Sequence, residues 1–464
     1  METTGAPAAP PADDRGPRPG DALLTAAVAA QMGAARADLE ALVRVPSISS
    51  EPEHAADVEA ACQAVAALAA GAGSRDVRVL QAAGGRPGVL ARWPAPQGRP
   101  TVLLYAHLDV QPTGAVEEWS SPPFEPTERE GRLYGRGAAD DKAGVLMHLA
   151  VLRAFGGTPP VGVVLFVEGE EEVGSPTLPA LLAEHADLLR SDVIVIADSA
   201  NAAVDVPAFT TSLRGLVDVL VEVRLLERPV HSGMFGGPVG DALTALCRLL
   251  ATLHDDAGDV AVAGLVAGST GTELDEAVFR GDAGILEGVQ LLGTGSIPDR
   301  AWRRPAVSVL GMDVPATAQA SNVLLARARA KVSLRTAPGQ RSDDALAALT
   351  AHLQDHAPWG AQVTVTPGTA GDPFSLETTG RTYDLARDAF AQAYGNAAVE
   401  AGIGGSIPFI AEFARTYPGA TVLVTGVGDP ASRWHGIDES LHLGMWEKAC
   451  LAQALLLARL GEQG

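Results

Sequence analysis

TVLLYAHLDV, residues 101–110, is a nearly unbroken apolar run that ends on a histidine and an acid. Runs of this kind suit a strand buried on both faces, as in a parallel sheet flanked by helices. In open α/β sheets, ligands bind at the carboxyl ends of the strands. His107 and Asp109 stand at such an end. One His-x-Asp pair is more often a structural hydrogen bond than a site, so the reading turns on whether the event recurs.

It recurs along the chain. Asp140 and Asp141 lie in AADDKAG, 138–144, at a Gly-flanked turn before a helix. Taken alone, they would serve equally well as acids favoured at a helix N-terminus. The run VGVVLFV, 161–167, leads into EGEEEVGS, 168–175, where Glu170, Glu171 and Glu172 stand together. Like charges this close repel unless they are exposed, neutralised or bound to cations. VIVIADS, 193–199, ends near Asp198, and RWHGIDES, 433–440, offers His435 after a strand expected at 420–425. Strand after strand thus ends in a carboxylate or an imidazole, and all can converge on one sheet edge. Zinc and its neighbours take imidazole nitrogen and carboxylate oxygen. Two metals roughly 3.5–4 Å apart need about five to seven such ligands, one of them bridging. The reading is a soluble two-metal hydrolase whose metals are held by His107, Asp140, Glu172, Asp198 and His435.

The surrounding pattern is α/β. Helices are expected at 21–45, 55–71 and 141–155, and strands at 77–81, 88–93, 101–106, 161–167 and 192–197. From Gly215 to Pro338 the texture changes, with long β character at 216–226, 307–310 and 326–334 and a helix at 241–254. That stretch reads as a smaller inserted α+β domain. Helices at 342–356, 381–394, 406–415 and 442–461 then complete the first domain. The expected division is a flexible tail at 1–20, a catalytic domain at 21–214 and 339–464, and an insertion at 215–338. The fold class is a mainly parallel central sheet flanked by helices.

Composition narrows the function. Of 464 residues, 34 are Lys or Arg and 56 are Asp or Glu, a net charge of −22. Such a surface repels phosphate backbones and anionic lipid, which argues against nucleic acid as a partner. No apolar run reaches the roughly 18 residues of a membrane helix. The first twenty residues lack the apolar core of a secretory signal. Cys62, Cys247 and Cys450 are widely spaced and form no CxxC pair, which reads as three buried thiols in a reducing cytoplasm.

The ordered motifs AHLDV, GRGAADDKAG, EGEEEVGS, VHSGMFGG, GGSIP and WHGIDES, with the strand end at Asp198, resemble the M20 family of co-catalytic metallopeptidases. EGEEEVGS and VHSGMFGG point to its carnosine-dipeptidase-like branch. The resemblance runs from about residue 25 to the end. It implies that Asp140 bridges two divalent ions, with His107 and Asp198 on one and Glu172 and His435 on the other. Zinc is the default ion; manganese or cobalt also fit. Glu171 resembles the general base, and Asp109 the acid that orients the His107 ring. The resemblance also implies a cis peptide between Asp140 and Asp141. In the inserted domain, His231 resembles a histidine that reaches across a homodimer to polarise the scissile carbonyl. Arg335 resembles the arginine that binds a substrate's terminal carboxylate, Asn322 a residue lining the same pocket, and Gly404, Gly405 and Ser406 a backbone-donor loop near the substrate. Ser199, Ala200 and Asn201 follow Asp198, where animal dipeptidases commonly carry aromatic residues.

The implied reaction is hydrolysis of the amide bond of a small peptide with a free C-terminal carboxylate. An N-acyl-amino-acid deacylase of the same family would share every metal residue. A nucleophilic serine hydrolase is disfavoured by the lack of a GxSxG elbow. A non-catalytic metal-binding or assembly protein would have no need of Glu171.

Overall fold

The apolar runs form strands because their β-branched and aromatic residues find cover on both faces. The protein is described by a computed structural model that covers Arg18 and residues 20–270, 274–403 and 408–462. Most of the tail expected at 1–20, and Gly404, Gly405 and Ser406, lie outside the described residues. In chain order the strands of the two main sheets are β1 (Asp76–Leu80), β2 (Gly88–Trp93), β3 (Thr101–His107), β4 (Gly162–Glu168), β5 (Val193–Ile196), β6 (Gly215–Arg224), β7 (Ala306–Asp313), β8 (Arg327–Thr336), β9 (Gln362–Gly371) and β10 (Thr421–Val424). The principal helices are α1 (Asp21–Val43), α2 (Ala55–Gly71), α3 (Lys142–Ala154), α4 (Leu178–Leu189), α5 (Ala242–Ala251), α6 (Ser342–Asp355), α7 (Arg381–Tyr394), α8 (Pro408–Thr416) and α9 (Leu443–Gly461).

The chain divides into two units. The first takes the described residues of 1–210, 378–400 and 409–464. Its six-stranded sheet has the order β1-β2-β4-β3-β5-β10. β3 pairs in parallel with β4 and β5, and β10 in parallel with β5. β1 and β2 add an antiparallel edge. Val102, Leu104 and Ala106 of β3 join a core built with α1, α2, α3 and α9. Tyr105 faces the other way, onto Phe166 and onto Phe413 of α8. A strand covered on both faces has no polar side to show, hence the continuous apolar run.

The second unit takes the described residues of 211–377 and 401–408. Its antiparallel sheet has the order β7-β8-β6-β9. Val217, Val219, Val221 and Val223 alternate inward on β6 and pack with Leu246 and Leu249 of α5 and Leu349 and Leu353 of α6. Residues 339–377, read from sequence with the first domain, cluster with this second unit. The cause is β9, which pairs with β6 along most of its length, and α6, which covers that sheet. Its VTVTPGTAG texture hid the strand. A second correction concerns the thiols. Cys62 and Cys450 are buried, but Cys247 is exposed on α5, on the side turned from the core. Among the described residues no helix is long and apolar enough to cross a membrane.

Two buried titratable groups brace the first unit. The Lys142 ammonium donates to the carbonyls of Leu42 at 2.9 Å and Val45 at 2.8 Å, pinning the end of α1 to the start of α3. His148 on α3 sets its ring 3.0 Å from the Tyr105 carbonyl of β3 and 2.8 Å from the Gln453 side chain of α9. Burial pulls this imidazole from 6.5 down to about 4. The unfolded chain therefore binds the extra proton first as pH falls, and folded stability is lost between roughly pH 6.5 and 4, by up to about 3 kcal/mol. His148→Gln is expected to flatten this acid limb in chelator-treated protein. Urea midpoints at a series of pH values check it, and parallel limbs in the two proteins would refute it.

Candidate metal centre

Parallel register brings the strand ends level. His107 of β3 stands opposite Glu168 of β4, and Tyr105 opposite Ile196 of β5. The segments leaving these strands carry Glu171, Glu172 and Asp198 to the same edge. Asp140 arrives from the turn before α3, across a cis peptide to Asp141. Gly144 in the first turn of α3 leaves room for Asp141: a Cβ there would stand 2.2 Å from the Asp141 carboxylate.

The five residues read as metal ligands meet. His107 Nε2 lies 3.1 Å from Asp140 Oδ1 and 3.9 Å from Asp198 Oδ1. His435 Nε2 lies 3.1 Å from Asp140 Oδ2 and 3.2 Å from Glu172 Oε2. Asp140 thus offers one oxygen to each imidazole. Two ligands held about 2.1 Å from a tetrahedral zinc stand roughly 3.4 Å apart, so these separations fit ligands that share a cation. His107, Glu171 and Asp198 also bring ligand atoms within 4.8 Å of one another, as do His107, Asp140 and Glu172.

The electrostatics point the same way. Burial drives the Asp198 carboxyl up to about 7, with Asp140 and Glu172 adding to the push and His107 opposing it. Burial also lifts Glu171 well above the usual carboxylate range, and Asp198 lifts it further. For Asp140 burial pushes upward, but hydrogen bonds from both imidazoles outweigh it and hold the group below its ordinary value. His435 is pulled up to about 10 by its contacts with Asp140 and Glu172. Buried carboxylates that resist ionisation beside one another form a donor set suited to divalent cations. His435 reaches the cluster from an exposed loop in which Arg433, His435 and Asp438 all have left-handed backbone, with φ of 54°, 57° and 60°. Such non-glycine conformations cost free energy and persist where the surroundings impose them.

Asp109 does more than the sequence reading expected. His107 Nδ1 lies 3.1 Å from the Asp109 backbone carbonyl and 3.5 Å from its carboxylate. That carboxylate accepts the backbone N–H groups of Glu171 at 3.1 Å and Glu172 at 3.0 Å. One acid therefore ties the His107 strand to the Glu171–Glu172 turn. From the other side the buried Glu170 accepts the Arg86 and Thr177 N–H groups at 2.9 and 2.8 Å.

Sequence reasoning missed Gln111. Its amide donates to the Glu172 carbonyl at 3.0 Å and to Glu172 Oε2 at 2.8 Å, the oxygen that faces His435. A neutral glutamine two residues past Asp109 carries no charge signal, so only the fold reveals it. Arg136 and Glu439, inside quoted motifs, were likewise given no part.

The remaining expected residues belong to the second unit. His231 is exposed, and its Nδ1 accepts the Gly233 N–H at 3.0 Å. The neighbouring Ser232 N–H donates to the Asn322 carbonyl at 3.0 Å, so these two segments are held together. Arg335 lies near the end of β8, paired with Ala306 of β7 and Leu216 of β6.

A sheet whose strand ends gather two imidazoles and a set of acids defines a metallohydrolase class. The family of that class is now plain: residues 103–462 match the model of peptidase family M20/M25/M40, and the chain belongs to that family and is a peptidase. It is 38% identical to a cysteinylglycine-S-conjugate dipeptidase of Corynebacterium striatum, over 78% of this chain and 82% of that protein. It is 28% identical to a Cys-Gly metallodipeptidase of Schizosaccharomyces pombe, over 77% of this chain and 79% of the relative. The crystal structure of human carnosine dipeptidase 1 superposes with a TM-score of 0.79 at 25% identity, covering 96% of this chain and 100% of that one.

If Asp140 serves both cations, Asp140→Asn should weaken uptake of both, whereas His435→Ala should release one. Metal content after dialysis against graded zinc buffers measures this. An Asp140→Asn protein that keeps two tightly held ions would show that the carboxylate does not bridge. Gln111→Ala is expected to lower the affinity of one equivalent about tenfold, in a chelator-competition titration.

Proposed function

We propose that this chain is a two-metal dipeptidase that hydrolyses the amide bond of small peptides bearing a free C-terminal carboxylate. The observation that carries the reading is the Asp140 carboxylate, with one oxygen 3.1 Å from each of two imidazoles. The dipeptidase relatives support the substrate class. His107 and Asp198 would hold one cation and Glu172 and His435 the other, with Asp140 between them. Zinc is the first choice for this donor set, and manganese or cobalt also suit it. When bound, such a pair supplies Lewis-acid polarisation of the carbonyl and activation of water near neutral pH.

The chain's own residues do the rest. Glu171, beside His107 and Asp198, takes the proton of the attacking water and passes it to the departing amine. Its elevated affinity for a proton, set by burial and by Asp198, suits a base that must also act as an acid. Asp109 fixes the Glu171 backbone and so aims the base. Arg335 offers a planar two-pronged donor for the substrate carboxylate. Asn322 is read as lining the same pocket, and Gly405 and Ser406 as part of a backbone-donor loop for the substrate. His231 donates to the carbonyl oxygen as charge builds there.

We read the second unit as a lid and dimerisation domain. Its edge strand β7 leaves Val309, Leu310 and Met312 exposed beside unpaired backbone, which supports pairing with a second copy. On this reading His231 acts in the partner's site. The free thiols Cys62, Cys247 and Cys450 support residence in the reducing cytoplasm.

Glu171→Gln should keep both cations yet lower kcat by about 10²–10⁴-fold. Full turnover in that variant would remove Glu171 from its role. With metal-reconstituted enzyme, free dipeptides should be cleaved in preference to N-acylated amino acids; the reverse preference would make the chain a deacylase of the same family.

A further inference from the structure

Glu439 lies four residues beyond His435, and it is fully buried. Oε1 accepts the backbone N–H of Ala139 at 2.9 Å and of Asp140 at 3.1 Å. Oε2 accepts the Gly137 N–H at 3.0 Å and the Arg136 guanidinium, through Nη1, at 2.7 Å. Arg136 is 1% exposed. Its other terminal nitrogen donates to the carbonyls of Pro112 at 3.2 Å and Gly436 at 3.1 Å. The Glu439 carbonyl in turn accepts the Gly135 N–H at 3.0 Å.

We propose that Arg136 and Glu439 form a positioning pair that sets where His435 stands relative to Asp140, and thereby the spacing of the two cation positions. The inference rests on the two-metal reading above. Its contacts fall on three of the segments that build the site: 107–112 with His107, 135–140 with Asp140, and 435–439 with His435. A role in stability alone is a poor explanation. Burying two charges costs about as much as their attraction returns, so such a pair is a weak stabiliser in general. It is a strong locator, because charge-assisted hydrogen bonds are short and directional. The 433–440 loop needs one. Its left-handed residues must be imposed from outside; Asp438 accepts the Ser120 N–H at 2.8 Å and Oγ–H at 2.6 Å, and Ser440 at the far end accepts from Arg132 at 2.9 Å, but neither contact adjoins His435 as the Arg136 bond to Gly436 does.

The two cation positions depend on the pair unequally. His107 ends a buried strand hydrogen-bonded on both sides, and its place does not need Arg136. His435 has no strand beneath it; the Arg136 contact is to its immediate neighbour, Gly436. Loosening the pair disturbs Asp140, which serves both positions, but it also frees His435, so the position at His435 and Glu172 weakens further than the position at His107 and Asp198.

The test is zinc titration of the full chain with chelator competition, together with the visible spectrum of the Co(II)-loaded protein. Wild type should bind two equivalents. Glu439→Gln removes the charge and presents an N–H where an acceptor is needed. Arg136→Lys keeps a cation beside Glu439 but loses the simultaneous reach to both carbonyls. In each, the weaker equivalent should fall about 10- to 100-fold while the tighter one falls much less, and the Co(II) spectrum should change chiefly for the second ion. Wild-type affinity and spectrum in both variants overturn the proposal and leave the two-metal reading intact. Equal loss of both equivalents, tracking a lowered Tm, also overturns it, since that is the signature of a merely structural pair. Should Glu439→Gln fail to fold, Arg136→Lys alone decides. A wild type that binds fewer than two equivalents overturns the reading beneath.

Discussion

Acids crowded at the end of a buried sheet repel one another, and the first unit is organised around that repulsion. Asp109, Asp140, Asp141, Glu171, Glu172 and Asp198 share one edge with two imidazoles. In a low-dielectric setting each added negative charge raises the cost of the next. Two devices relieve it. Donors from the chain take up some carboxylates outright, as at Asp109 and Glu170. The remaining acids are left for imidazoles and cations to satisfy. Division of labour among chemically similar side chains follows from which of them the backbone has already claimed.

Positioning is accordingly a backbone affair. Asp109 holds the turn of Glu171 and Glu172 by its N–H groups, and Glu439 holds the turn of Asp140 in the same way. Neither acid needs to touch a cation to decide where the donors lie. Side-chain orientation is added by Gln111 on Glu172 and by the Asp109 carbonyl and carboxylate on His107. The result is a donor set whose geometry is carried by groups one step removed from it, a common arrangement around metal ligands.

Much of this was legible in the sequence, for a physical reason. A strand covered on both faces cannot hide: its apolar run is continuous, and the first polar residue after it marks the sheet edge. His107, Glu171, Glu172 and Asp198 were readable because each follows such a run. What resisted reading lacked a local signature. β9 alternates Thr with Val before Pro367 and Gly368, so nothing in the segment itself announces a strand that needs β6 to exist. Cys247 occupies an exposed position of an amphipathic helix, where residue type says little about burial. Gln111 is neutral. Arg136 and Glu439 look like ordinary surface charges until the fold joins two distant segments and removes both from water.

The placement of His435 has a consequence in time. The strands that bear the acids are made before the second unit, whereas β10 and the loop after it follow the whole of it. The sheet receives its last strand, and the centre its second imidazole, only after the whole second unit has been made. A nascent chain therefore carries an acidic edge but no finished donor set. The order of the elements leaves the donor set unfinished until the second unit has been made.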